Sequence, residues 1–233
     1  MNNFPSTLRV QNFDSLDNNA VWPHGVQVVI TRIPIRKKDG FTIEKMKQLA
    51  EKIYNNMAQN GIVFFICYAP MEAKYRPFEI AKIMSDQGFT HIDNIILQKS
   101  WYPGKRSETN LVNSYDFALY FCKGNVWRLD RVPLMDYLGT PEELSCPGNM
   151  WYIETGSLEE SFPCHLAEML IRMTDSLPGS IILDPFMNTN STIIASIKTG
   201  MSFYGYDKEL KNIKKYEKII DEYKTFGIVT VKE

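Results

Sequence analysis

Cysteine is scarce in this chain, and its spacing excludes the sites that cysteines usually build. The 233 residues contain four cysteines, Cys67, Cys122, Cys146 and Cys164, and no two of them form a C-x-x-C pair. Zinc sites and disulfide frameworks need closer or more regular spacing. Cys67 and Cys122 fall within apolar, strand-like runs, so we expect buried thiols in a reducing compartment and no metal site.

Long apolar runs and an excess of charge of one sign are also missing. No apolar stretch reaches the roughly 18 residues of a membrane span, and no signal peptide is evident, which predicts a cytoplasmic protein without a membrane partner. The formal net charge is −1, whereas nucleic-acid-binding domains are often strongly basic. Any surface that binds nucleic acid is therefore expected to be local.

The composition and the order of elements indicate one α/β domain spanning residues 1–233. Hydrophobic residues make up 44% and charged residues 23% of the chain, as in ordinary globular proteins. Apolar strand-like runs alternate with stretches of helical periodicity. The predicted strands are Leu8–Val10, Val26–Ile30, Ile62–Cys67, Ile92–Leu97, Tyr115–Cys122, Ile181–Leu183 and Met201–Tyr206. The predicted helices are Thr42–Gln59, Pro77–Gln87, Leu166–Thr174, Ile193–Lys198 and a charged helix from Asp207 to about Lys224.

This alternation predicts a doubly wound, Rossmann-like, mostly parallel seven-stranded sheet. Residues 124–160 contain prolines, charges and aromatics without a clear period, and they are predicted to be a short irregular insert. Gly227 to Lys232 could add an edge strand.

The stretch from Ser180 to Thr192 predicts a buried strand, a polar turn and the start of a helix. Asp184-Pro185 ends the strand, because proline cannot continue a central strand. The turn contains no glycine, which argues against an ordinary dinucleotide site; Asn188 and Asn190 are expected to supply left-handed backbone angles instead.

The residues that follow this turn have two possible roles. Ser191 and Thr192 can cap the next helix. Asp207 ends the following strand, where an acidic residue commonly holds ribose hydroxyls; it could also cap a helix, and the two roles can coexist.

The order of these motifs resembles that of the permuted β-type DNA amino-methyltransferases, which make N6-methyladenine or N4-methylcytosine. The resemblance rests on Phe162-Pro163, Pro178-Gly179, Ile182–Met187, Ser191-Thr192 and Phe203–Asp207, preceded by weaker matches at Asp14–Leu16, Val28–Thr31, Gly61–Cys67 and Asn113–Lys123. It spans nearly the whole chain and implies the fold of S-adenosylmethionine (SAM)-dependent methyltransferases.

The resemblance also implies SAM or a close analogue as the cofactor, bound above Asp184. Asp207 would hold the ribose, Asp14 would lie on the adenine side, and Phe162-Pro163 would contact the methionine end. A turn cap at Asp14 and plain packing of Phe162 are the alternatives. The cofactor-binding residues implied are Asp14, Thr31, Phe162, Pro163, Asp184, Pro185, Phe186, Asn188, Asn190, Ser191 and Asp207.

The predicted catalytic loop departs from the family pattern, which is Asp, Asn or Ser followed by Pro-Pro and an aromatic. Here the positions read Arg32-Ile33-Pro34-Ile35, so Arg32, Pro34 and Ile35 occupy the catalytic places. In the family, an acceptor side chain binds the hydrogens of an exocyclic base amine and the aromatic stacks on the flipped base. Arginine has no acceptor lone pair.

Several hypotheses therefore stay open: methylation with altered chemistry, a catalytically inactive subunit that binds DNA or a partner, or an anionic SAM-type cofactor or substrate paired to Arg32. Arg32 could also be a solvent-facing loop residue that touches phosphate.

DNA is the partner that the resemblance implies. The best candidates for contacts to its backbone are Arg36, Lys37, Lys38, Lys105 and Arg106. Residues 124–160 are too few for an independent recognition domain, which suggests loose specificity or a homodimeric or heteromeric partner. A methyltransferase of small molecules or proteins is the alternative outside nucleic acids, and the permuted motif order argues against it.

Overall fold

The structure is a computed structural model that describes residues 7–34, 40–68, 74–99, 111, 114–125, 129–138, 148–153 and 163–226. Within these residues the strands form one eight-stranded sheet in the order β1-β8-β7-β2-β3-β5-β4-β6. The strands are β1 (Leu8–Gln11), β2 (Val26–Arg32), β3 (Met57–Cys67), β4 (Thr90–Lys99), β5 (Tyr115–Cys122), β6 (Met150–Ile153), β7 (Ile181–Asp184) and β8 (Ser202–Tyr206). The helices are α1 (Ile43–Asn56), α2 (Arg76–Asp86), α3 (Val132–Leu138), α4 (Cys164–Met173), α5 (Ser191–Lys198) and α6 (Leu210–Phe226).

The prediction of a mostly parallel α/β sheet is confirmed, but the count of seven strands is wrong. The additional strand, β6, lies inside the 124–160 segment that was predicted to be irregular, and it pairs in parallel with β4. Its alternation is short: Trp151 and Ile153 are buried, whereas Met150 and Tyr152 are exposed. A strand of four residues among charges and prolines is too short to show an alternation from which the sequence could predict it.

Five neighbouring strands, β1, β8, β7, β2 and β3, run parallel. β5 is antiparallel to both β3 and β4. Because parallel strands end at the same edge of a sheet, the loops that follow these five strands meet on one side of the molecule.

The sheet is covered on both faces, which gives the doubly wound arrangement. Along β2, Val28 and Ile30 face the core formed with α4, α5 and α6. Val29 faces the opposite core, formed with α1 and α2. This alternation is what a strand buried on both sides requires.

Helix α1 begins as predicted but ends earlier. Thr42 caps it, with the amide of Lys45 donating to the Thr42 hydroxyl at 3.3 Å. The predicted end at Gln59 is wrong, since β3 begins at Met57. Asn60, within β3, takes a left-handed φ of 63°, a conformation that asparagine tolerates better than most residues.

No helix in the described part of the chain is long and apolar enough to cross a membrane.

Candidate functional site

A cleft of about 410 Å³ opens where the parallel strands end. Its walls come from the segments after β1, β2, β7 and β8, together with the first turn of α1 and Tyr68 after β3. The residues that line it are Phe13, Asp14, Ser15, Leu16, Arg32, Ile33, Pro34, Phe41, Lys45, Tyr68, Pro185, Phe186, Met187, Asn188, Tyr206, Asp207, Lys208 and Glu209. This volume is in the range of sites for one small ligand.

Of the predicted cofactor residues, the cleft brings together Asp14, Pro185, Phe186, Asn188 and Asp207. Arg32 and Pro34 from the predicted catalytic loop line the same cleft. Thr31, Pro163, Asp184, Asn190 and Ser191 do not line it. Ile35, Arg36, Lys37, Lys38, Lys105, Arg106 and Phe162 lie outside the described residues.

Asp184 directly precedes the lining residue Pro185 but is not itself among the residues that line the cleft. It is buried, and its carboxylate accepts hydrogen bonds from the Thr31 hydroxyl at 2.6 Å and the Thr192 hydroxyl at 2.9 Å. The Phe186 amide also donates to it, at 3.2 Å. Asp184 therefore ties together β2, the turn after β7 and the start of α5.

Burial raises the pKa of Asp184 to about 6, even though these three hydrogen bonds act in the opposite direction. The nearby charge of Asp207 contributes to the rise.

The turn after β7 forms without left-handed residues, so the expectation for Asn188 and Asn190 is wrong. Among described non-glycine residues, positive φ occurs at Asn60 and Asp175 only. Asn190 precedes α5 with φ −88° and ψ 5°, and its side chain makes no capping hydrogen bond. Ser191 is the first residue of the helix rather than its cap. A turn that needs no positive φ does not need glycine, which explains how this sequence forms it.

Gly205 in β8 is the glycine on which the turn depends. A Cβ atom there would overlap the Sδ of Met187 and lie 2.7 Å from the Phe203 ring. The Met187 amide donates to the Tyr206 carbonyl at 2.9 Å, which holds the turn against this strand. The absence of a side chain at Gly205 thus sets how closely the cleft wall packs on the sheet.

We expect Gly205→Ala to lower the free energy of unfolding by about 1–3 kcal/mol, the usual cost of overpacking a core. Denaturant unfolding measures this. Gly148→Ala is the matched control, because a Cβ at Gly148 meets no atom within 4 Å. Equal losses in the two variants would contradict the close packing at Gly205.

Asp207 lines the cleft, and its carboxylate accepts three hydrogen bonds from residues that follow it, two of them in α6. The Glu209 amide donates to Oδ1 at 2.8 Å, while Asn212 Nδ2 at 3.0 Å and the Tyr216 hydroxyl at 3.1 Å donate to Oδ2. The predicted role of Asp207 at the start of a helix therefore coexists with its place in the cleft, where Oδ1 retains acceptor capacity. Sequence reasoning missed Asn212 and Tyr216, although their spacing on a predicted helix was a usable signal.

Asp14 forms an ion pair across the lip of the cleft. Lys208 Nζ lies 2.8 Å from its Oδ2, and the Leu16 amide donates to Oδ1 at 3.1 Å. Burial alone would raise the pKa of Asp14, but the hydrogen bonds and charge of these partners outweigh it, so the pKa lies below its usual value. Lys208 was not singled out from the sequence.

Arg32 is the last residue of β2 and turns toward a buried carboxylate on β5. Its guanidinium lies 3.7 Å from Asp116 Oδ2, and Lys99 Nζ lies 2.8 Å from Asp116 Oδ1. The three side chains are 13%, 9% and 16% exposed for Arg32, Asp116 and Lys99. The reading of Arg32 as a solvent-facing loop residue is therefore wrong.

Asp116 was also missed from the sequence. Its signal was a charged residue inside an otherwise apolar strand, where charges are rarely buried without partners.

Comparisons with solved structures show the fold. A protein from Thermus thermophilus, assigned as a putative DNA modification methylase and complexed with SAM, matches with a TM-score of 0.69 and 20% identity over 95% of this chain and 96% of that chain. M1.HpyAVI in complex with SAM matches with a TM-score of 0.68 and 19% identity over 91% and 98%. The cytosine-N4-specific PvuII DNA methyltransferase matches with a TM-score of 0.69 and 16% identity over 95% and 93%.

No curated protein matches the chain in sequence. The sequence model of the N6/N4 DNA methylases matches residues 36–218, which is most of the chain. This match begins after Arg32-Ile33-Pro34-Ile35 and so does not depend on the altered loop. The chain belongs to the DNA methylase family.

Proposed function

We propose that this protein binds SAM or a close analogue in the cleft and binds DNA, and that Arg32 prevents methyl transfer to an exocyclic base amine by the usual route of the family. The observation that carries this proposal is the cleft itself. It places Asp207 and Arg32 on one surface, at the carboxyl edge of a parallel sheet where such ligands bind.

The residues present fit an adenosyl ligand. Asp207 offers an acceptor oxygen to a ribose hydroxyl, Phe186 offers an apolar ring, and Asn188 can hydrogen-bond the amino-acid end. Asp14 lies on the same side of the cleft, ion-paired with Lys208 next to Asp207, and it can accept from the adenine amine. When bound, the cofactor would supply an electrophilic methyl group.

Arg32 cannot perform the step that this loop performs elsewhere in the family. The lone pair of an exocyclic amine is delocalised into the ring, and acceptors that bind the amine hydrogens make it available for attack. A guanidinium donates five N–H groups and accepts none. Ile33, which follows it, is buried and has no acceptor side chain.

The ion pair with Asp116 supports a fixed position for the Arg32 side chain. Because Asp116 holds the guanidinium inside the protein, the side chain is not free to swing into solvent and leave the loop open. We infer a subunit that keeps the cofactor cleft while the chemistry of its own loop is blocked.

DNA is proposed as the partner because of the family. The basic residues expected to contact its backbone come from two segments: Arg36 to Lys38 directly follow Arg32–Ile35 in sequence, and Lys105 and Arg106 lie between β4 and β5. Contacts of this kind give affinity rather than sequence specificity. A homodimeric or heteromeric partner would supply what the short 124–160 segment does not.

We expect calorimetric titration to show SAM binding, and the wild-type protein to transfer no methyl group to DNA. We expect Arg32→Asp combined with Ile33→Pro to restore detectable transfer, because this variant supplies the missing acceptor and the rigid backbone of the loop. Incorporation of labelled methyl groups into mixed-sequence DNA measures it.

The control for this experiment is Asp207→Asn, which should weaken binding in both backgrounds without changing the loop. Absence of SAM binding by folded wild-type protein would refute the cofactor proposal. Methylation of DNA amines by the wild-type protein would refute the block at Arg32.

A further inference from the structure

The charges that line the cleft are unevenly distributed. They belong to Asp14, Arg32, Lys45, Asp207, Lys208 and Glu209. The three acids follow β1 and β8, and Lys208 is paired with Asp14. Arg32 ends β2, where its neighbours in the wall, Ile33 and Pro34, carry no charge. Lys45 also acts on Asp14, so the three acids share their side of the cleft with two lysines, whereas Arg32 is the charged lining residue at the end of β2.

Within the part of the chain that the structure describes, the charge of Arg32 is only partly compensated. Asp116 is shared by two cations, with Lys99 at 2.8 Å and Arg32 at the longer distance of 3.7 Å. Counted over the described residues, this group of one carboxylate and two cations carries a net charge of +1. Of these three residues, Arg32 lines the cleft and Lys99 and Asp116 do not.

We propose that the cleft selects the neutral thioether form of the cofactor, S-adenosylhomocysteine, over the sulfonium form, and that Arg32 is the residue that discriminates between them. This inference rests on the proposed function. If Asp207 held the ribose and Asp14 faced the adenine of an adenosyl ligand, both at the side of β1 and β8, its sulfur would lie toward β2, where Arg32 lines the cleft. The sulfonium carries a positive charge at that atom, and the thioether does not.

Two like charges repel far more strongly in a partly buried cleft than in water. Even a repulsion reduced by Asp116 is enough for about a tenfold difference in affinity, which corresponds to roughly 1.4 kcal/mol. A protein with this preference responds to the demethylated form of the cofactor and is suited to binding rather than to methyl transfer.

The test is calorimetry of the full-length protein with S-adenosylhomocysteine and with SAM at low and high salt. We expect the thioether to bind at least tenfold more tightly, with a ratio that falls as salt screens the repulsion. In Arg32→Met the ratio should fall to within about threefold of unity, mainly through tighter binding of SAM. This variant leaves the closer Lys99–Asp116 pair intact, so it is expected to fold.

Lys45→Met is the matched control, because Lys45 also lines the cleft and its charge acts on Asp14 at the acidic side. Its ratio should stay as in the wild type, and so should that of Arg32→Lys, which retains the charge. An unchanged ratio in Arg32→Met, or equal wild-type affinities, would overturn the inference and leave cofactor binding standing. Tighter binding of a carboxymethyl sulfonium analogue than of the thioether would overturn it in favour of anion recognition. Binding of neither ligand would refute the proposed function itself.

Discussion

Replacing Asp116 by asparagine is expected to lower the free energy of unfolding by about 3 kcal/mol or more, the typical cost of removing one partner from a buried ion pair. Arg32 and Lys99 both rely on this carboxylate and are largely shielded from water. Asparagine keeps the shape but presents a neutral amide to two cations. Denaturant unfolding at neutral pH, compared at constant m-value, measures the loss.

The matched control is Asp86→Asn. Asp86 pairs with Lys82 one helical turn away at 2.9 Å, but both side chains are more than half exposed. Exposed pairs of this kind contribute at most about 0.5 kcal/mol. Similar losses in the two variants would show that Asp116 is effectively in contact with water.

A second substitution separates charge from packing at Asp116. If the loss comes from unbalanced charge, adding Arg32→Met to Asp116→Asn should recover stability, because one of the two stranded cations is then removed. If the loss comes from altered packing, the second substitution should add to it. Asp116 thus both positions the Arg32 side chain and compensates its charge. The electrostatics of the cleft therefore depend on Asp116, which does not line it.

The sequence predicts the elements of this fold better than it predicts their partners. Tyr115–Cys122 was predicted with the observed bounds, because its β-prone run is apolar apart from Asp116 and is typical of a buried strand. β6 was missed because its four residues are too few to show a clear alternation of apolar and polar side chains. The boundary between α1 and β3 was misplaced because Met57 and Ala58 suit either state, and pairing with β2 decides it.

In the candidate site, too, the positions of residues along the chain were predictable, whereas their contacts with distant residues were not. Asp14, Asp207 and Arg32 follow strands that the sequence reveals, so their meeting at one edge was predictable. The burial of Asp184 was not, because it depends on the Thr31 hydroxyl, which lies 153 residues away in the chain. The Arg32–Asp116–Lys99 cluster joins β2, β5 and β4, and no local pattern encodes the order in which those strands lie side by side.

Asp184 has the second large expected effect, and it depends on pH. Its pKa is about 6 in the folded protein against 3.8 for the ordinary group. A carboxyl group whose pKa is raised by folding favours the folded state while it is protonated. That contribution is complete below about pH 4 and is lost as the pH rises through about 6. A difference of roughly two pKa units corresponds to about 3 kcal/mol.

Asp184→Asn should therefore be less stable than, or equal to, the wild type at pH 4 and more stable at pH 7. The change in the stability difference between these two values should be about 3 kcal/mol. Asparagine stays neutral throughout and keeps an acceptor oxygen for Thr31 and Phe186. Unfolding curves of both proteins from pH 4 to pH 8 measure it, and groups common to both cancel in the difference.

Asp86→Asn serves as the control at each pH. If the free energies of unfolding of Asp184→Asn and the wild type changed in parallel with pH, burial would not raise the pKa of Asp184.

The cost of burying Asp184 also bears on why a carboxylate is kept at this position. Aspartate accepts with both oxygens, from Thr31 and Phe186 on one and from Thr192 on the other, whereas asparagine has one acceptor oxygen. If the hydrogen bonds to both oxygens orient the turn that lines the cleft, Asp184→Asn should gain stability at pH 7 and lose affinity for the adenosyl ligand. Such a trade-off is typical of residues that are kept for function at a cost in stability.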